Sequence, residues 1–246
     1  MRIDKGRLAQ LSQYPDEPYT AEHIFAHIGS VFARIFLHLP FTPNQILWFW
    51  GGLMVLSSLL YSTGQYALCI LGGVIWVCAY GMDYTDGIVA RYRDQCSAKG
   101  AYLDLVVHRV TYPILMFCIG WGVYVSGGMS WLDVPWFDDT FYIYLGLAAG
   151  VSMDVFMDLA PMYEKFKVGE KTFEDRKGSV AVEGRLVGNV DLFKRLMNFN
   201  PLVFSNMMLL LPVFAIMDLM GLFIIIYGIG YTVATAVRVM IIYRDL

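Results

Sequence analysis

Charge is what this chain has little of. Of its 246 residues 16% are charged and 57% are hydrophobic, and the mean hydropathy is +0.53. An ordinary soluble domain carries about 25% charged residues. The shortage excludes that class and places the chain among integral membrane proteins. The net charge of −3 excludes the basic surface that nucleic acid requires. Four cysteines, Cys69, Cys78, Cys96 and Cys118, form no CxxC pair, and three lie in apolar runs. They read as free thiols without a role. The first twenty residues, MRIDKGRLAQLSQYPDEPYT, hold no apolar core of the kind a cleavable signal peptide needs. No solenoid repeat and no second soluble domain stand out.

What is present is a series of long apolar runs. A membrane-spanning helix takes about 20 such residues, and six stretches qualify: 44–62, 66–90, 101–125, 141–163, 200–217 and 221–243. The fold class predicted is all-α and polytopic. Lys and Arg fall on one side only. Arg91, Arg93 and Lys99 lie in the connection 91–99, eight more in 164–199, and others near both termini. The opposite connections carry Asp133, Asp138, Asp139 and Asp218 but no Lys or Arg. This bias places both termini and the two basic connections in the cytoplasm.

Ahead of the first span, TAEHIFAHIGSVFARIFLHLP repeats Ile24, Ile28, Val31, Ile35 and Leu39 at helical spacing, with Phe25, Phe32 and Phe36 alongside. It predicts an amphipathic helix in the interface, with His23, His27 and His38 as its polar residues. Pro40 ends it; Thr42 can cap span one and Pro43 can open it. The domain reading is therefore 1–41 as an N-terminal cytoplasmic segment with its interfacial helix, then 42–246 as a six-helix transmembrane catalytic domain.

Against this background the acids in DYTDGIVARYRDQCSAKGAYLDLVVH stand out. Asp83, Asp86, Gly87 and Ala90 recur at helical spacing on one face of the outgoing helix, and Gly100, Asp104 and His108 on one face of the returning helix. Both sets lie at similar depth from the connection, and the small residues allow close approach. Acids inside a membrane segment are costly and are functional by default. Three carboxylates converging would repel one another unless a divalent cation joined them. Oxygen ligands suit Mg²⁺, Mn²⁺ or Ca²⁺. A two-metal site at a membrane surface points to phosphoryl transfer, with Arg91 placed to hold a phosphate. The plain alternative is a hairpin of ordinary salt bridges.

The order D-x2-D-G-x2-A-R-x8-G-x3-D-x3-D resembles the signature of the CDP-alcohol phosphotransferases. Asp83, Asp86, Gly87, Ala90, Arg91, Gly100 and Asp104 match it at every spacing, and His108 stands at the fourth Asp. The interfacial helix, the Pro43–Asn44 start of span one and the six spans are similar too. The resemblance implies a two-metal Mg²⁺ or Mn²⁺ site held by Asp83, Asp86, Asp104 and His108. It implies a CDP site formed by Asn44, Asp86, Gly87, Ala90, Arg91 and Gly100. An acceptor alcohol would attack the donor phosphate, CMP would leave, and His108 would sit where the family has its general base. It also implies a donor such as CDP-diacylglycerol, a small polar alcohol or alcohol phosphate as acceptor, a cytoplasmic active site and a homodimer.

The imidazole has two readings. With an ordinary pKa of about 6.5 it is a competent proton acceptor, and its nitrogen can ligate Mn²⁺ or Zn²⁺ but suits Mg²⁺ poorly. Alternatively His108 marks an impaired site, in a divergent paralogue or an engineered variant. Outside the motif, Asp154 and Asp158 share a face of span four. They either line the same cavity or pair with an interior cation such as Arg109, which could itself hold an acceptor phosphate. Three further function readings stay open: a soluble CDP-alcohol donor with a lipid acceptor, an aromatic prenyltransferase, and a cation-coupled transporter. A prenyltransferase would need a second acidic motif; a transporter would place its acids near the midplane of broken helices.

Overall fold

The computed structural model describes residues 5–11, 20–128, 138–170 and 204–245. These residues form eight helices and no strand: α1 (Lys5–Leu11), α2 (Thr20–His38), α3 (Pro43–Tyr61), α4 (Tyr66–Tyr92), α5 (Ala98–Val125), α6 (Thr140–Glu170), α7 (Phe204–Ile216) and α8 (Met220–Asp245). Four are long and apolar enough to cross a membrane: α4, α5, α6 as far as Tyr163, and α8 as far as Arg244. The fold is all-α, as the hydropathy pattern requires. The expected spans 44–62 and 200–217 correspond to α3 and α7, but neither is among those four. α3 mixes Asn44, Gln45, glycines and serines into its 19 residues, and α7 has only 13. Residues 200–203 and most of the basic connection, from Lys171 onward, lie outside the described residues, as does 129–137 with Asp133.

Local signals set several boundaries. Thr42 caps α3 by accepting from the Gln45 N–H at 3.3 Å, while Gln45 Oε1 accepts from the Thr42 N–H at 2.9 Å, and Pro43 opens the helix. This reciprocal box satisfies two of the donors a helix start leaves free. Ser97 starts α5 in the same way, accepting from the Gly100 N–H at 3.0 Å. α6 runs seven residues past the expected end of its span at Tyr163. Glu and Lys are good helix formers, so the end of an apolar run marks the membrane boundary and not the helix end.

α3 packs on both α4 and α5; α6 packs on α5, α8 on α6, and α2 and α7 on α4. Small residues permit these approaches. A Cβ on Gly29 of α2 would lie 2.5 Å from Tyr84 Cβ of α4. α2 is amphipathic as expected, yet it docks by a different face from its aliphatic stripe. Phe25, Ala26, Ala33, Phe36 and Leu37 are buried, whereas Ile24, Val31, Ile35 and Leu39 are exposed. Ile28 is the member of that stripe packed inward, against Gly81. The small residues on the docking face allow the close contact, and the bulkier aliphatics remain for lipid.

The end of α2 is tied to the end of α4. The Arg93 guanidinium donates to the carbonyls of Phe36, Leu39 and Phe41, satisfying acceptors that a helix C-terminus leaves open. α1, which the polar N-terminus did not announce, adds Arg7, paired with Asp94 at 2.9 Å and stacked over Tyr92. All four cysteines are free.

Candidate functional site

The α4–α5 hairpin brings Asp83, Asp104 and His108 together. His108 Nε2 lies 3.2 Å from Asp83 Oδ1 and 3.3 Å from Asp104 Oδ1. The imidazole hydrogen-bonds Asp83. Asp104 Oδ1 is buried and makes no hydrogen bond, because one ring N–H cannot serve two acceptors well. One ligand atom from each of the three residues falls within 4.8 Å of the others. Two carboxylate oxygens and an imidazole nitrogen at that separation, one oxygen left without a partner, fit a divalent cation.

Two aromatic rings pack against the imidazole. The rings of Trp50 on α3 and Tyr112 on α5 each lie with centroids 5.0 Å from that of His108. Trp50 is fully buried and Tyr112 nearly so. Trp50 can reach across because α3 and α5 meet at Gly51, where a Cβ would lie 2.8 Å from Val107 Cγ1. His108 Nδ1 is buried without a hydrogen-bond partner, so Nε2 is the nitrogen facing the carboxylates.

Asp86 stands slightly apart. Its Oδ1 accepts from the N–H of Gly87 at 2.6 Å, and it is not one of the three clustered ligand residues. It lines a cavity of about 200 Å³ at the hairpin end of the bundle. Asn44, Gly87, Ala90, Arg91, Gly100 and Asp104 line the same cavity, so every residue expected around a CDP moiety borders one space. The start of α3, the end of α4 and the start of α5 enclose it. The Arg91 guanidinium lies over Gly87, 3.5 Å from where a Cβ would be, and Asn44 Oδ1 is 3.3 Å from the corresponding point on Gly100. Asp104 belongs to both the cavity and the Asp83–His108 cluster.

A family model described as CDP-alcohol phosphatidyltransferase matches residues 41–163. The chain belongs to the CDP-alcohol phosphatidyltransferase family. No curated protein matches it. The matched region begins beside the α3 cap and ends on α6, so it contains the whole hairpin and its cavity. Membership makes this a membrane protein of a transferase family, whose donors are CDP-alcohols and whose acceptors are alcohols.

Arg109, Asp154 and Asp158 do not border the cavity. Arg109 Nη2 lies 2.5 Å from Asp158 Oδ1, and Nη1 lies 3.6 Å from Asp154 Oδ1 and donates to the Asp154 carbonyl at 3.1 Å. The three form an ion pair between α5 and α6. Asp158 is half exposed, and such a pair contributes up to about 1 kcal/mol. Asp158→Asn should therefore lower the melting temperature by no more than about 4 °C and leave the rate of CMP release within about twofold. A larger loss of rate at unchanged stability would assign these residues to the reaction.

Sequence reasoning missed Trp50 and Tyr112. It also missed Gln95, Cys96 and Ser97, which border the cavity from the connecting turn. The aromatics carried no usable signal, because the chain has 16 Tyr, 16 Phe and 6 Trp. A larger cavity, of about 320 Å³, opens at the far end of α4 and α5 between Tyr61, Ser126 and Asp218. It touches none of the motif residues.

Proposed function

We propose that the chain is a membrane phosphotransferase of phospholipid synthesis. It moves a phosphatidyl group from CDP-diacylglycerol to a small polar alcohol or alcohol phosphate. The acceptor oxygen forms a bond to the lipid-bearing phosphorus, the bond from that phosphorus to the bridging oxygen breaks, and CMP leaves with the electron pair. The observation that carries this reading is the shared cavity. Asn44, Asp86, Gly87, Ala90, Arg91 and Gly100 surround one space that meets the Asp83–Asp104–His108 cluster at Asp104. In this reading Arg91 holds a donor phosphate, and Gly87 and Gly100 leave room for the nucleotide.

Divalent metal, when bound by Asp83, Asp86, Asp104 and His108, supplies electrostatic stabilisation of the phosphoryl oxygens. His108 either takes up the acceptor proton or holds the ion. Nε2 is the ring nitrogen directed at the carboxylates, and one lone pair cannot do both at once. The family relationship and the Lys and Arg bias support a six-span homodimer whose termini and active site face the cytoplasm. Residues 1–41 then form the interfacial segment and 42–246 the catalytic unit.

The test is to incubate purified protein with Mn²⁺ or Mg²⁺, CDP-diacylglycerol and a panel containing inositol phosphate, glycerol phosphate and serine, and to measure CMP. Metal-dependent release with one acceptor supports the reading. Release only from a soluble CDP-alcohol with a lipid acceptor reverses donor and acceptor, and no release with any pair overturns it.

Gly87 offers a separate check. A Cβ there meets nothing closer than 3.5 Å, so a larger side chain can be built without disturbing the helix packing and would fill the cavity. Gly87→Val should weaken binding of the CDP donor by about a hundredfold, the loss of roughly 2.7 kcal/mol of contacts, with little change in melting temperature. Unchanged donor affinity would remove the nucleotide from this cavity.

A further inference from the structure

The turn that joins α4 to α5 forms one wall of the cavity, and α1 grips it from outside. We propose that Arg7 of α1 is a positioning residue for the CDP donor: by holding the left-handed end of α4 it fixes Arg91 and the Gln95–Ser97 wall. The inference deepens the phosphotransferase reading and rests on it for the identity of the ligand.

The backbone of the turn needs support. The Gln95 N–H reaches back to the Ala90 carbonyl at 2.8 Å, and the Asp94 N–H approaches the Arg91 carbonyl at 3.4 Å. This pair of bonds closes a helix through one left-handed residue, where glycine is usual because it has no Cβ. Asp94 occupies the place, with φ 56°. Asp adopts this region more readily than most residues, yet still against its preference.

Arg7 supplies the support. Its Nη2 donates to both carboxylate oxygens of Asp94, at 2.9 and 3.1 Å, and to the Arg91 carbonyl at 3.4 Å. Its guanidinium lies 5.3 Å from the centre of the Tyr92 ring. The next residue of α1, Leu8, is buried, so α1 is docked on α4 by apolar contact as well as by charge. From Asp94 the chain runs directly into the cavity lining at Gln95, Cys96 and Ser97, with Arg91 on the near side. Arg7 is not itself in that lining. Its influence therefore passes through Asp94 and Arg91 and falls on donor binding: a wall already ordered spares the nucleotide the cost of ordering it. Arg7 and Asp94 are both exposed, which keeps the effect modest.

The test uses the full chain. Arg7→Ala should raise KM for CDP-diacylglycerol about fivefold and weaken binding of free CDP by the same factor. The value of kcat should stay within about twofold, the acceptor KM should not change, and the melting temperature should move by no more than about 2 °C. Hydrogen exchange at the Gln95 amide should quicken, because that N–H closes the turn. Glycine holds the left-handed position without help, so Arg7→Ala combined with Asp94→Gly should restore KM, CDP affinity and Gln95 protection to within about twofold of the parent. Unchanged KM and CDP affinity in Arg7→Ala, a fall in kcat that tracks a fall in melting temperature, or no rescue by Asp94→Gly each overturns the proposal. Weakened CDP binding that Asp94→Gly rescues, in a protein that releases no CMP from any donor, leaves Arg7 in its role and removes the phosphotransferase reading. CMP release with a donor KM insensitive to Arg7 does the reverse.

Discussion

Asp83→Asn should lower metal-dependent CMP release by at least about a thousandfold, the equivalent of roughly 4 kcal/mol of transition-state stabilisation by the ion. Asp83 is one of the two carboxylates on His108, with its Oδ1 3.2 Å from Nε2. The amide keeps the shape but has no charge to hold a cation. The metal-free protein should not become less stable. The Asp83 side chain is largely buried, and replacing its carboxylate by a neutral amide removes the cost of burying that charge, which offsets the loss of its contact with His108. Lost turnover with an unchanged or raised melting temperature is the pattern of a site kept for function at a cost in stability. Rates within tenfold of the parent would place the ion elsewhere. A lowered melting temperature would make Asp83 a structural residue.

Gly122→Val should abolish accumulation of folded protein, or lower its melting temperature by more than about 10 °C. A Cβ on Gly122 would lie 2.0 Å from the carbonyl oxygen of Tyr61. The obstacle is backbone, so no side-chain rotation relieves it, and α5 must move away from the end of α3. Overpacking of this kind costs about 3 kcal/mol or more, and each kcal/mol shifts a chain of this size by about 2–4 °C. The contact sits at the opposite end of α5 from the Asp104 cluster, yet it holds α3 in place and with it Trp50. Gly52→Val is the control. Nothing lies within 4 Å of a Cβ there, and its melting temperature should stay within about 2 °C of the parent. Equal stability of the two variants would show that the α3–α5 approach is not fixed at Gly122.

The sequence alone determined the all-α class, the position of the hairpin and the membership of its two polar faces. It could do so because helical periodicity is a local property. Asp83, Asp86, Gly87 and Ala90 share a face by spacing, as do Gly100, Asp104 and His108, and a nine-residue connection sets their depths. Thr42 and Pro43 announced the start of α3, since a cap needs only residues within one turn. The apolar runs marked membrane segments more reliably than helix ends, which is why α6 outlasts its span.

Tertiary structure decided how each helix is rotated about its axis and which neighbour it meets. That rotation placed Trp50 and Tyr112 against His108, set Asp86 on the lining of the cavity beside Asp104, and paired Arg109 with Asp158 across α5 and α6. It also docked α2 through Phe25 and Ala33 instead of its aliphatic stripe. Periodicity gives the faces of a helix but not the partner each face will find. The partner depends on where small residues such as Gly29, Gly51 and Gly122 let two backbones close, and that is a property of helix pairs, which no single run of residues contains.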